Sequence, residues 1–159
     1  MLNHPFPRTF DNNLRGRKAA LWLLGAMVLL KGLMGINCVF NGYEVAVSVD
    51  AIPLHEFPPA AAATVVGFFA IWAWGLLLMS LLGALALIRY RAMVPLVYLL
   101  LLAEQLGRKW ILTAMTIAHS GGSSSAGSIN NAIVAILLIG LALSLWSPSN
   151  NPQTTRVRT

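Results

Sequence analysis

Charge is scarce in this sequence. Only 10% of its 159 residues are Asp, Glu, Lys or Arg, against 57% hydrophobic, and mean hydropathy is +0.71. A soluble domain draws roughly 25% of its residues from the charged set. This chain lacks the polar residues to cover a water-facing surface, so hydrocarbon must solvate most of it. Cysteine is nearly absent too. Cys38 stands alone, which excludes an intrachain disulfide and any cysteine metal cluster. Asn37 is not the small residue that a lipoprotein cysteine requires before it. No small-x-small cleavage site closes the first apolar run either, which reads as a retained helix.

Catalytic signatures are missing as well. There is no Ser–His–acid arrangement, no phosphate-binding glycine loop and no Cys/His ligand spacing. Nor do two broken helices stand in matching positions, as a transporter repeat would show. His4 lies in the N-terminal arm, while His55 and His119 fall in separate loops without a partner at ligand spacing. No metal site is therefore expected. The net charge of +6 does not point to nucleic acid. Its cations sit beside apolar runs, at Arg8–Lys18, at Arg89 and Arg91, and at Arg156 and Arg158, as membrane anchors do.

What is present is four long apolar runs: Ala19–Asn41, Ala60–Ile88, Ala92–Ala118 and Ile129–Trp146. At about 1.5 Å per residue each is long enough for a hydrocarbon core of about 30 Å. The expected fold is all-α, an integral membrane four-helix bundle over residues 19–147. A flexible N-terminal segment (1–18) precedes it and a flexible tail (148–159) follows. The second run is longer than a span needs and is expected to tilt. Pro58-Pro59 suits a helix start, and Pro148 stops the last run.

The loops set the orientation. Loops 42–59 and 119–128 contain no Lys or Arg, whereas the N-terminal segment, the turn Arg89-Tyr90-Arg91 and the tail hold every basic loop residue. The positive-inside rule then places both termini in the cytoplasm, most simply of a bacterial cell with this protein in its inner membrane. Trp22, Tyr90 and Trp146 mark the inner interface, and Phe40, Tyr43 and Trp110 the outer one. In the first outer loop, Val45, Val47 and Val49 alternate, which fits a short strand or an amphipathic segment lying on the outer surface. The layout resembles that of small bacterial four-helix proteins such as the DoxX-like group, with a long outer loop after the first span. It carries no residue roles to this chain.

The third run holds Glu104, Gln105, Arg108 and Lys109 where hydrocarbon belongs. An Arg, Lys or Asp at a helix centre costs about 2.5–3.5 kcal/mol on insertion scales. Counted from Ala19 and from Ala92, Lys31 and Glu104 lie equally deep, about 18 Å in, so they are expected to pair. Arg108 follows Glu104 at i+4 and can pair with it within the helix. Gln105 and Lys109 form a second such couple, continued by Thr116. Leu99, Ala103, Leu106, Trp110 and Ala114 make the opposite, lipid-facing half.

Lys31, Arg108 and Lys109 outnumber Glu104, so the acidic loop residues Glu44, Asp50 and Glu56 are candidates to fold down as counter-charges. The cluster is then either an ion-pair network that fixes helix register or a ligand site. Phe68 and Trp72 share a face, read as lipid-facing packing or a docking ridge. The small-residue pairs Ala63/Gly67, Ser80/Ala84 and Gly140/Ser144 allow close helix approach.

The first functional reading is a non-enzymatic accessory subunit or a bundle binding a small ligand or lipid. Its partners would be the bilayer and a membrane subunit or a second copy, without nucleic acid. The alternatives are a membrane oxidoreductase or a quinone-interacting protein, and a transport or proton-relay component.

Overall fold

A computed structural model describes residues 11–12, 16–114 and 125–146. Most of the expected N-terminal segment, the tail, Thr116, His119 and the Gly-Ser stretch of the second outer loop lie outside them. Among the described residues the regular elements are all helical: α1 (Lys18–Phe40), α2 (Gly42–Ser48), α3 (Pro59–Ile88), α4 (Val94–Ala114) and α5 (Ser125–Leu145). Single 3-10 turns occupy Leu54–Glu56 and Arg91–Met93. Three helices, Lys18–Phe40, Pro59–Ile88 and Gly127–Leu145, are long and apolar enough to cross a membrane. The fourth long helix, α4, has 21 residues and carries Glu104, Arg108 and Lys109 within it.

The four long helices pack side by side, and each touches at least two of the others. Apolar side chains point outward on all of them. Trp22 on α1, Ile71 on α3, Trp110 on α4 and Ile139 on α5 are all exposed, while Lys31, Gln105, Ser80 and Ser144 are buried. This is the reverse of a water-soluble arrangement and fits a protein whose solvent is lipid.

The interior has two apolar clusters with the charged residues between them. The larger one joins Ala20, Leu24 and Met27 of α1 to Ala86, Val97, Tyr98, Leu101 and Leu137 on the other three helices. The smaller contains Cys38, Val45 and Ala73. Small residues let the helices close on one another. A Cβ on Gly140 would run into the Tyr98 ring, and one on Gly83 into Val28. The Tyr98 hydroxyl, buried by this contact, donates to the Ala20 carbonyl at 2.7 Å, which satisfies a polar atom that would otherwise be stranded.

Of the three small-residue pairs, Gly140/Ser144 is buried at a helix contact. Ser80 is also buried, with Gly83 rather than Ala84 as its deeply packed neighbour. Ala63/Gly67 faces outward instead, with nothing within 4 Å of a Cβ on Gly67.

The short strand allowed by the valine alternation is not formed, because α2 occupies those residues. The reason is hydrogen-bond satisfaction: among the described residues a strand here has no neighbour to pair with, whereas a helix satisfies its own backbone. α2 continues from α1 through Asn41, whose N–H donates to Asn37 O at 2.7 Å and whose carbonyl accepts from Val45 N at 3.0 Å. It buries Val45 and Ala46 and leaves Tyr43, Glu44 and Ser48 exposed.

At the other end of the molecule, residues preceding α1 are tied to the other helices. Arg17 N–H donates to Leu143 O at 3.1 Å, and Ala92 N–H to Asp11 O at 3.3 Å. The Arg17 guanidinium lies 4.7 Å from the centroid of the Trp146 ring. These contacts gather Arg17, Lys18, Arg89 and Arg91 at one end, opposite the loop that carries Glu44, Asp50 and Glu56.

Candidate functional site

Lys31 and Glu104 meet across α1 and α4. Their equal depth follows from helical rise, and the structure adds the facing: Lys31 Nζ donates to Glu104 Oε2. It also donates to Gln105 Oε1 at 2.8 Å. Lys31 is 2% exposed, so both bonds lie in the interior. Glu104 Oε1 is buried without a hydrogen-bond partner among the described residues.

Two intrahelical couples expected from i, i+4 spacing are replaced by contacts between helices. Arg108 does not turn to Glu104; its Nη2 donates to Asn130 Oδ1 at 2.7 Å, and its guanidinium stands 4.8 Å from the Trp72 ring centroid. Gln105 does not turn to Lys109 either. Its amide nitrogen donates to the same Asn130 oxygen at 2.9 Å, and Lys109 donates to Asn131 Oδ1 at 2.9 Å. The physical reason is competition. Two exposed groups one turn apart gain only about 0.2–0.5 kcal/mol from pairing, whereas a charge facing a neighbouring helix must be satisfied there or remain bare.

The result is a continuous polar chain through three helices: Glu104, Lys31, Gln105, Asn130 and Arg108. Trp72 of α3 closes it with its ring face. The Gln105 amide suits the middle position, because its oxygen accepts from an ammonium while its nitrogen donates onward.

Asn130 and Asn131 have no place in the cluster as read from sequence. The signal was available, since an Asn-Asn pair inside an apolar run costs as a buried charge does, on a smaller scale. Trp72 is likewise more than lipid-facing packing. Phe68 is 66% exposed as that reading has it, but Trp72 is half-buried against Arg108.

On α4, Ala103, Leu106, Trp110 and Ala114 are exposed and Leu99 is half-buried, opposite the polar face. Of the acidic loop residues, Asp50 alone reaches the cluster's neighbourhood. Asp50, Ile52, Phe68, Phe69, Trp72, Arg108 and Leu112 line one cavity of about 270 Å³. Glu44 is exposed on α2. Glu56 is also exposed and pairs with the adjacent His55 at 3.6 Å.

The loop is shaped to hold Asp50 and Ile52 at that cavity. Ala51 between them takes φ 54°, the left-handed region, which costs a non-glycine residue about 1–2 kcal/mol. Hydrogen bonds from Asp50 N to Val45 O (3.2 Å) and from Ile52 N to Ala46 O (2.9 Å) fold the segment back on α2. Phe69 and Trp72 stand edge to face, with centroids 6.2 Å apart.

The cavity therefore has aromatic walls with a guanidinium and a carboxylate in its lining. It lies slightly below the usual range of about 300–1,000 Å³ for small-molecule pockets, which is room for one ring or a compact head group. Among the described residues, no three of His, Cys, Asp and Glu converge as metal ligands. No protein family, curated protein or solved structure matches this chain.

Proposed function

We propose that this chain is a four-helix integral membrane protein that binds a small amphipathic molecule in the cavity beside Arg108 as a non-enzymatic membrane component. Helix α4 is its fourth span and both termini lie in the cytoplasm, so the cavity sits in the outer half of the bilayer. The observation that carries the reading is Arg108 itself. Asn130 and the Trp72 face hold the guanidinium at the edge of an aromatic cavity, which fixes a cationic donor group in its lining. Aromatic walls with a few placed polar groups are the usual composition of a ligand pocket.

The polar chain behind it supports this role by fixing α1, α4 and α5 in register, which keeps the cavity walls in place. A carbonyl or other acceptor on a ring-sized head group satisfies Arg108, and its apolar remainder passes between α3 and α4 toward lipid. A quinone has that chemistry, and the flat aromatic walls favour it among ring ligands.

The test is native mass spectrometry of the full chain released from mild detergent, with an organic extract read for the ultraviolet change of a quinone on reduction. The wild-type chain is expected to retain one small species at near-unit stoichiometry, and Arg108→Gln to lose at least tenfold of it. A wild-type protein that carries nothing, or an Arg108→Gln variant that keeps its full complement, would overturn the proposal. A retained species without the redox spectrum keeps the binding role and removes the quinone.

A further inference from the structure

A second concave surface lies at the opposite end of the molecule, between the start of α1 and the end of α3. It encloses about 510 Å³ and is lined by Lys18, Leu21, Trp22, Gly25, Leu87 and Arg91. Its chemistry is divided. Two cations stand at the helix ends, and four apolar residues form the floor running into the span. No acid lines it. Arg91 is anchored at its guanidinium, whose Nε donates to Leu87 O at 3.3 Å and holds the group beside the groove. Lys18 opens α1, where the first backbone N–H groups add positive partial charge.

Gly25 gives the floor its depth. A Cβ there would meet only Leu87 Cδ1, at 3.9 Å, so the glycine leaves a channel between α1 and α3 that a longer side chain would fill. Trp22 is 82% exposed beside it and offers a flat apolar flank. The helices that form the groove are two of the three able to cross a membrane. Its cationic end therefore falls at head-group level and its floor at the level of the first acyl carbons.

We infer that this groove holds one anionic phospholipid, with its phosphate between Lys18 and Arg91 and an acyl chain along Gly25, Trp22 and Leu87. Charge complementarity selects the occupant. A zwitterionic lipid brings its own ammonium against two cations, whereas an anionic head group brings none. The site shares no residue with the Arg108 cavity, so each stands or falls without the other.

A cation near an anionic membrane surface contributes about fivefold to lipid affinity, so the pair supplies about 25-fold. The experiment is lipid titration into the full chain in mild detergent, followed by native mass spectrometry. The probes are phosphatidylglycerol, phosphatidylcholine and inorganic phosphate alone. The wild-type chain is expected to take up one phosphatidylglycerol at least tenfold more tightly than phosphatidylcholine. Lys18→Gln/Arg91→Gln should lose that preference, while the charge-matched Arg17→Gln/Arg89→Gln keeps it. Gly25→Leu should lower phosphatidylglycerol occupancy with both cations intact.

Equal binding of the two lipids by the wild-type chain would overturn the inference. So would equal loss in both double variants, which is the signature of diffuse charge, or saturation by inorganic phosphate alone. Unfolding transitions of the variants, followed by tryptophan fluorescence, separate lost binding from lost fold.

Discussion

Replacing Lys31 with methionine isolates the energetics of the buried pair. Met keeps an unbranched stem of similar length and removes the ammonium. Glu104 then loses its cation while its Oε1 already has no donor among the described residues, and Gln105 Oε1 loses its 2.8 Å bond. Two magnitudes compete. A neutral hydrogen bond between membrane helices averages about 0.6 kcal/mol, whereas stripping one partner from a buried ion pair costs about 3–5 kcal/mol. The charge effect dominates. Because the Glu104 side chain is 24% exposed, the low end applies, and Lys31→Met should cost about 3 kcal/mol.

Removing both charges should recover most of that loss, since apolar replacement of a whole buried pair is often neutral. Lys31→Met/Glu104→Met is therefore expected within about 1 kcal/mol of wild type, a recovery of about 2 kcal/mol over Lys31→Met alone. The assay is reversible unfolding in mixed micelles, titrated with SDS and followed by tryptophan fluorescence. The reasoning fails if Lys31→Met costs under about 1 kcal/mol, or if the double variant is as unstable as the single.

Three further outcomes are expected. Gly140→Ala places a Cβ into the Tyr98 ring and should destabilise by about 1–3 kcal/mol. Gly67→Ala has open space around it and should be neutral or gain up to about 1 kcal/mol; the same unfolding titration compares them, and equal effects would contradict the packing. Alkaline phosphatase fused at the C-terminus should be inactive and the same enzyme in loop 42–59 active. The opposite pattern would reverse the proposed topology.

Helix positions were legible from composition and punctuation because each depends on local chemistry. Pro58-Pro59 opens α3 and the Arg89-Tyr90-Arg91 turn closes it, as read. The depth match of Lys31 and Glu104 was legible for a related reason. Rise per residue is nearly constant in a helix, so distance along the axis can be counted. Which neighbour a side chain chooses cannot be counted this way. Arg108 has Glu104 one turn away, yet bonds to Asn130 and stacks on Trp72, because those groups come from helices whose placement depends on every other contact.

The same limit explains α2. Alternating valines suit a strand, but a strand needs a partner, and nothing in the local sequence says whether one stands beside it. The scarcity of charge set the expectation that lipid surrounds most of this chain and that any ionisable group within it carries a cost to be met. Packing of the four long helices selected what meets that cost: Lys31 for Glu104, two asparagines for Arg108 and Lys109, and an aromatic face in place of a carboxylate. Solvent preference is a sum over residues and survives any arrangement of them. Partner choice is a matter of geometry, and geometry exists only once the helices have packed.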